Sequence, residues 1–152
     1  MPIFKPDEFL LNILPKKRVL GIDPGTKTLG IAVSNSDLTV ASPIFTIQRK
    51  KLKSDLNQLL EVLKKYDVTG IIIGWPLNMD GSIGPRCDSV RDFVKSLLEV
   101  IDIPILLQDE RMSTMAIEKP MIKADLTRKK RNSRTDQLAA CWILQTALDG
   151  LQ

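Results

Sequence analysis

Histidine is absent from this chain of 152 residues. With it go every imidazole-based triad, every His-ligated metal site and every His general base. Two cysteines, Cys87 and Cys141, stand 54 positions apart with no CxxC pair. That argues against zinc and gives no disulfide framework, so both read as small apolar residues of a reducing compartment. Aromatics are only 5% of a sequence that is 43% hydrophobic, so the core must be aliphatic, as suits an α/β sheet. No apolar run approaches the length of a membrane span. The opening MPIFKPDEFLLNILPKKR has acids ahead of its apolar patch and no small-residue cleavage site, so no secretory signal is expected. These absences predict one soluble, cytoplasmic domain.

The net positive charge is concentrated in one place. The net charge is +4, yet residues 119–134 alone carry Lys119, Lys123, Arg128, Lys129, Lys130, Arg131 and Arg134 against Asp125. That segment is +6 and the rest of the chain −2.

The chain is organised around RVLGIDPGTKTLGIAVS, residues 18–34. Two apolar runs, Val19–Ile22 and Leu29–Val33, flank a turn of Asp23, Pro24, Gly25 and Thr26, which predicts a β-hairpin. Asp-Pro-Gly is also ordinary turn chemistry, and on its own needs no further role. Gly21, Gly25 and Gly30 leave room for a backbone or a phosphate to come close. Thr39–Ile47 reads as a third strand, with Pro43 marking an edge or a bulge. Leu52, Leu56, Leu59, Leu60 and Leu63 have helical spacing, and GIIIG at 70–74 reads as a strand buried on both faces. The loop WPLNMDGSIGPR is followed by helical spacing from Val90 to Ile101, then by a strand at Ile103–Leu107 closing on Gln108, Asp109 and Glu110. Ser113 can cap a further helix that Pro120 stops, and a last helix spans about Ser133 to Leu151. A meander followed by alternating helices and strands predicts a five-stranded mixed sheet covered by helices, an α/β fold. Residues 1–17 read as an extension, with a short helix from near Asp7 laying Phe9, Leu10 and Ile13 on a domain of residues 18–152.

Chemistry in such sheets gathers at the carboxyl ends of the strands. Asp23 ends the first strand and Glu110 the last, so the two carboxylates converge if these strands are neighbours. Asp136 is expected to open the last helix, with Ala139 and Ala140 one turn on to allow a close approach to the sheet. Three converging carboxylates without an imidazole suit a hard divalent cation, Mg²⁺ or Mn²⁺. Each acid also has a plainer reading: Glu110 can pair with Arg111, and Asp136 after Ser133 fits a capping-box variant.

The blocks GIDPGTKTLGIAV (21–33), IIIGWPLNMDG (71–81), DERMST (109–114) and TDQLAACWILQ (135–145) resemble the YqgF/RuvX family. Its members go by the names of Holliday-junction resolvase and pre-16S rRNA nuclease, in the ribonuclease H-like superfamily. The resemblance runs from about Arg18 to the C-terminus. It implies a ribonuclease H-like fold and puts the acidic triad on Asp23, Glu110 and Asp136. Several family members have Phe where this chain has Pro24, and often Leu where it has Trp75, and neither position is a metal ligand by the resemblance. The resemblance further implies phosphodiester hydrolysis with two metal ions. Thr26, Lys27 and Arg111, beside the acids, become candidates to hold phosphate oxygens. Asn78 and Asp80 can line the site or simply make a turn. Lys129, Lys130, Arg131 and Arg134, within the basic run 123–134, are either a solvated charge run or a surface that neutralises phosphates. The partner is then nucleic acid, pre-rRNA ahead of branched DNA, with no membrane and a monomer or weak dimer.

Two other classes compete. The first block also resembles the phosphate hairpin of actin-like and sugar-kinase ATPases, but those enzymes need two such domains and this chain holds one. A non-enzymatic nucleic-acid-binding module would not need all three acids.

Overall fold

The computed structural model describes residues 3–4, 6–14, 16–25, 27–76, 83–109 and 128–151, with backbone path alone for 3–4, 6–7 and 128–136. Six strands form one mixed sheet: β1 (Ile3–Phe4), β2 (Arg18–Pro24), β3 (Thr28–Ser34), β4 (Ala41–Gln48), β5 (Val68–Trp75) and β6 (Ile105–Asp109). Their spatial order is β1-β6-β5-β2-β3-β4. Pairing is antiparallel for β2–β3 and β3–β4, and parallel for β2–β5, β5–β6 and β1–β6. The five expected strands are all present, and a two-residue sixth comes from the N-terminal extension. Helices α1 (Pro6–Asn12), α2 (Leu52–Lys65), α3 (Pro85–Leu98) and α4 (Arg128–Leu151) cover the sheet. Among the described residues no helix is long and apolar enough to cross a membrane. The helix expected after Ser113 lies outside the described residues.

Element ends differ from the sequence reading for local reasons. Asp23 and Pro24 stay in the ladder, opposite Gly30 and Leu29, so the turn begins only at Gly25. A Cβ on Gly25 would lie 2.7 Å from the Thr28 carbonyl oxygen, which leaves the position to glycine. Thr39 and Val40 stay out of β4 because both donate their N–H to Asn35 Oδ1, at 2.8 and 3.0 Å. Pro43 does sit on an edge strand, beside a register shift that leaves Ile44 unpaired. β6 starts after Pro104, which has no N–H to give to a ladder. α4 begins at Arg128, five residues ahead of Ser133, through a basic stretch of good helix formers.

The central strands are buried on both faces. Leu20, Ile22, Ile71, Ile73 and Ile105 pack against α2 and α3, while Val19, Ala32, Ile72 and Leu106 pack against α1 and α4. The extension is part of this second layer. Phe9 is fully buried against Gly70, where a Cβ would meet the ring at 2.8 Å. Ile13, one turn on, joins the same cluster. Leu10 is 43% exposed, contrary to expectation, because a one-residue step turns it about 100° away from the Phe9–Ile13 stripe.

α4 comes closest to the sheet at Gly21. A Cβ there would lie 2.7 Å from Leu144 Cβ and 3.1 Å from the Ala140 oxygen. Gly21→Ala is therefore expected to push the helix outward and cost about 1–3 kcal/mol of stability. The melting midpoint should fall by several degrees; an unchanged midpoint would contradict this close packing.

Candidate active site

Side-chain alternation along β2 decides where Asp23 points its chemistry. Leu20 and Ile22 face α2 and α3, so Val19, Gly21 and Asp23 belong to the α4 face. Asp23 is half-buried, last but one in the strand. Across the ladder stands Gly30, and on the other side β5 continues from Ile73, the partner of Ile22, to Gly74. Two residues without side chains therefore flank the carboxylate on its own face.

The direction of α4 follows from two contacts. Its Ala140–Leu144 turn rests on Gly21. Further along, Gln145 Oε1 accepts from Ala41 N at 2.8 Å, and its Nε2 donates to Thr39 O at 2.9 Å. Ala41 pairs with Ser34, at the far end of the hairpin from Asp23. The helix thus runs antiparallel to β2 and starts over the Asp23 end. Residue 136 lies four residues before Ala140, about 6 Å along the helix. Asp23 lies two residues past Gly21, about 6.6 Å along the strand. The backbone positions of Asp23 and Asp136 come level at the carboxyl end of the sheet. Asp136 does not open its helix, however. It is the ninth residue of α4, so the capping-box reading falls away.

The strands of Asp23 and Glu110 are not neighbours, because β5 runs between β2 and β6. Two strand spacings put β2 and β6 about 10 Å apart. Gly74, paired with Gln108, leaves the α4 face of β5 without a side chain at this level. Glu110 follows Asp109, the last residue of β6, and lies outside the described residues, as do Thr26, Asn78, Asp80 and Arg111. Lys27 is exposed in the β2–β3 turn. Lys129, Lys130, Arg131 and Arg134 stand on the first two turns of α4 rather than in a loop ahead of it.

The donor chemistry left to the chain is oxygen. It has no histidine, Cys87 is buried, and burial pushes the half-buried Cys141 thiol above its ordinary value. Among the described residues no three His, Cys, Asp or Glu side chains gather, and Asp23 is the one acid of the trio whose side chain is described. An anionic oxygen at the open end of a strand, between two glycines, fits a hard divalent cation.

Sequence reasoning passed over two residues that grip the turn after Asp23. Arg49 Nη1 donates to Gly25 O at 2.7 Å and Arg86 Nη2 to Pro24 O at 3.0 Å. Arg49 is held in turn by Asp55, 3.9 Å from its Nε and only 2% exposed. The legible signal was an acid on the apolar stripe of α2, three residues after Leu52 and four before Leu59.

Comparison with known proteins bears on the same segments. The family model described as "RuvX: Holliday junction resolvase" matches residues 17–150. A protein of Paramagnetospirillum magneticum named "Putative pre-16S rRNA nuclease" is 44% identical over 149 residues, covering 98% of this chain and 96% of its own length. One of the same name from Rhizobium meliloti is 46% identical over 151 residues, covering 99% and 92%. Among solved structures, Thermus thermophilus RuvC in complex with a Holliday junction substrate superposes with a TM-score of 0.55 at 18% identity, covering 88% of this chain and 94% of that one. That likeness establishes the ribonuclease H-like fold. With a family model spanning nearly its whole length and relatives near 45% identity, the chain belongs to the RuvX Holliday junction resolvase family.

Proposed function

We propose that this chain is a metal-dependent endonuclease that hydrolyses phosphodiester bonds in the 5′-end processing of pre-16S rRNA, with Asp23, Glu110 and Asp136 as the carboxylates that hold Mg²⁺ or Mn²⁺. The observation that carries this reading is the approach of α4 to β2 at Gly21, which brings position 136 level with Asp23. The cations, two by family resemblance, would supply Lewis acidity for water activation and for the departing oxygen. Asp23 contributes a fixed anionic oxygen at the strand end. Thr26, Lys27 and Arg111 hold non-bridging phosphate oxygens, and Asn78 and Asp80 line the site. With no histidine in the chain, no imidazole takes a proton in the reaction.

The start of α4 supports a polyanionic substrate. Its first turn contains no acid, and Arg128, Lys129, Lys130, Arg131 and Arg134 crowd its positive end. Cations there oppose the helix dipole by about 0.3–1 kcal/mol each, a cost that neutralising phosphates offsets. Replacing Lys129, Lys130 and Arg131 together by Ala should weaken nucleic-acid binding equally across sequences. The salt dependence should flatten by up to about 0.9 log units per lost contact on duplex. An unchanged slope would make the run a solvated one.

The relatives' names favour RNA, and the family description favours branched DNA. Resolving a four-way junction takes paired cuts by two active sites, most simply in a symmetric dimer. A monomer or weak dimer with one acidic centre and one adjacent basic strip suffices to cut a single strand. The chain acts in the cytoplasm, with residues 18–152 as the nuclease unit and 1–17 laid on it. Labelled precursor rRNA and a synthetic junction, incubated in parallel with the purified protein, decide the matter. We expect RNA cleavage and little or no junction cleavage. A stable dimer that nicks junctions symmetrically and leaves precursor rRNA intact would make it a resolvase instead.

A further inference from the structure

Behind the Asp23 turn, on the α2–α3 face, lies a cleft of about 510 Å³ bordered by Pro24, Gly25, Arg49, Lys50, Arg86 and Ser89. We infer that this cleft is a second phosphate subsite, in which Arg86, Lys50 and Arg49 take the nucleic-acid backbone on the strand leading away from the cut. The inference rests on the nuclease reading and extends it to the opposite face of the sheet.

The cations there are held in place and keep donors to spare. A guanidinium has five N–H donors. Arg86 gives one to Pro24 O and is exposed to solvent. Arg49 gives one to Gly25 O, pairs with Asp55 through Nε, lies 5.5 Å from the Phe93 ring centre, and keeps a quarter of its side chain exposed. Asp55 does not confront a ligand. It is buried, and its carboxylate is engaged by Arg49 and by the Lys50 N–H at 3.2 Å. Lys50 is exposed. Against these three cations stand Asp55 and Asp92, so the cleft is net positive. Arginines held by carbonyls, a carboxylate and a ring lose little freedom on meeting a phosphate, which favours binding there.

Position supplies the rest. Asp23 faces α4, the cleft faces α3, and among the described residues the Pro24–Gly25 turn lies between them. Gly25 puts no side chain on the crest between the two faces. A strand with its scissile phosphate at Asp23 that passes over this crest meets Arg86 next, and Lys27 stands exposed beside the path.

The test is binding of a short labelled single-stranded RNA to the full chain in chelator, where no cleavage intrudes, over a series of salt concentrations. Arg86→Gln removes one cation that also braces the turn. Lys50→Gln removes one whose amine, among the described residues, makes no bond to the turn. Each should lower the salt slope by about 0.7 and weaken binding about 5-fold at 0.1 M salt, and Lys50→Gln should do so with the melting midpoint unchanged. If both variants keep the wild-type slope and affinity, the arginines merely hold the turn and the subsite does not exist, whatever happens to the cleavage rate. If the wild-type chain binds neither RNA nor DNA, the nuclease reading itself fails.

Discussion

Asp23→Asn is expected to lower phosphodiester cleavage by about 10³-fold while the protein stays folded. Asparagine keeps the shape of the side chain and removes its charge. The position is half-buried between Gly30 and Gly74, and an amide is nearly the size of a carboxylate, so the effect falls on chemistry more than on packing. A carboxylate that helps to hold a Lewis-acidic cation supports several kcal/mol of transition-state stabilisation. A loss of about 4 kcal/mol is a factor of about 10³ in rate. Asp136→Asn should act in the same direction. Cleavage of precursor rRNA, measured beside the melting midpoint of each variant, provides the check. A folded Asp23→Asn protein cutting at near wild-type rate would refute the metal-triad reading.

Removing divalent metal should have an effect at least as large. In excess chelator cleavage is expected to stop, and Mg²⁺ or Mn²⁺ should restore it. Ca²⁺ should occupy the site yet sustain little turnover, because its looser and larger coordination shell does not fix the reacting oxygens in line. Added to Mg²⁺-supported reactions, Ca²⁺ should inhibit. The chain offers no histidine to take over as general base, and burial raises the one partly exposed thiol, Cys141, away from thiolate. Full activity in chelator would therefore overturn the mechanism.

Much of this protein is legible in the order of its residues. The strand pattern is local: β-branched runs bounded by Gly and Pro place β2, β3 and β5, and leucine spacing places α2, because each depends on neighbours a few positions away. The blocks around Asp23, Glu110 and Asp136 carry the family in the same local way. Helix starts were less legible. α4 begins at Arg128 because basic residues propagate a helix as readily as they fill a loop, so composition alone does not mark the change. Strand order was out of reach, since the apolar run of β5 marks a strand buried on both faces but does not say that its neighbours are β2 and β6. The setting of Asp23 was equally a tertiary matter. Which face it occupies follows from the burial of Leu20 and Ile22, and its approach to position 136 follows from the missing Cβ of Gly21 beneath Leu144. The grip of Arg49 and Arg86 on the turn joins residues 24 and 62 positions apart. Contacts of that span are made by packing, which no local propensity encodes.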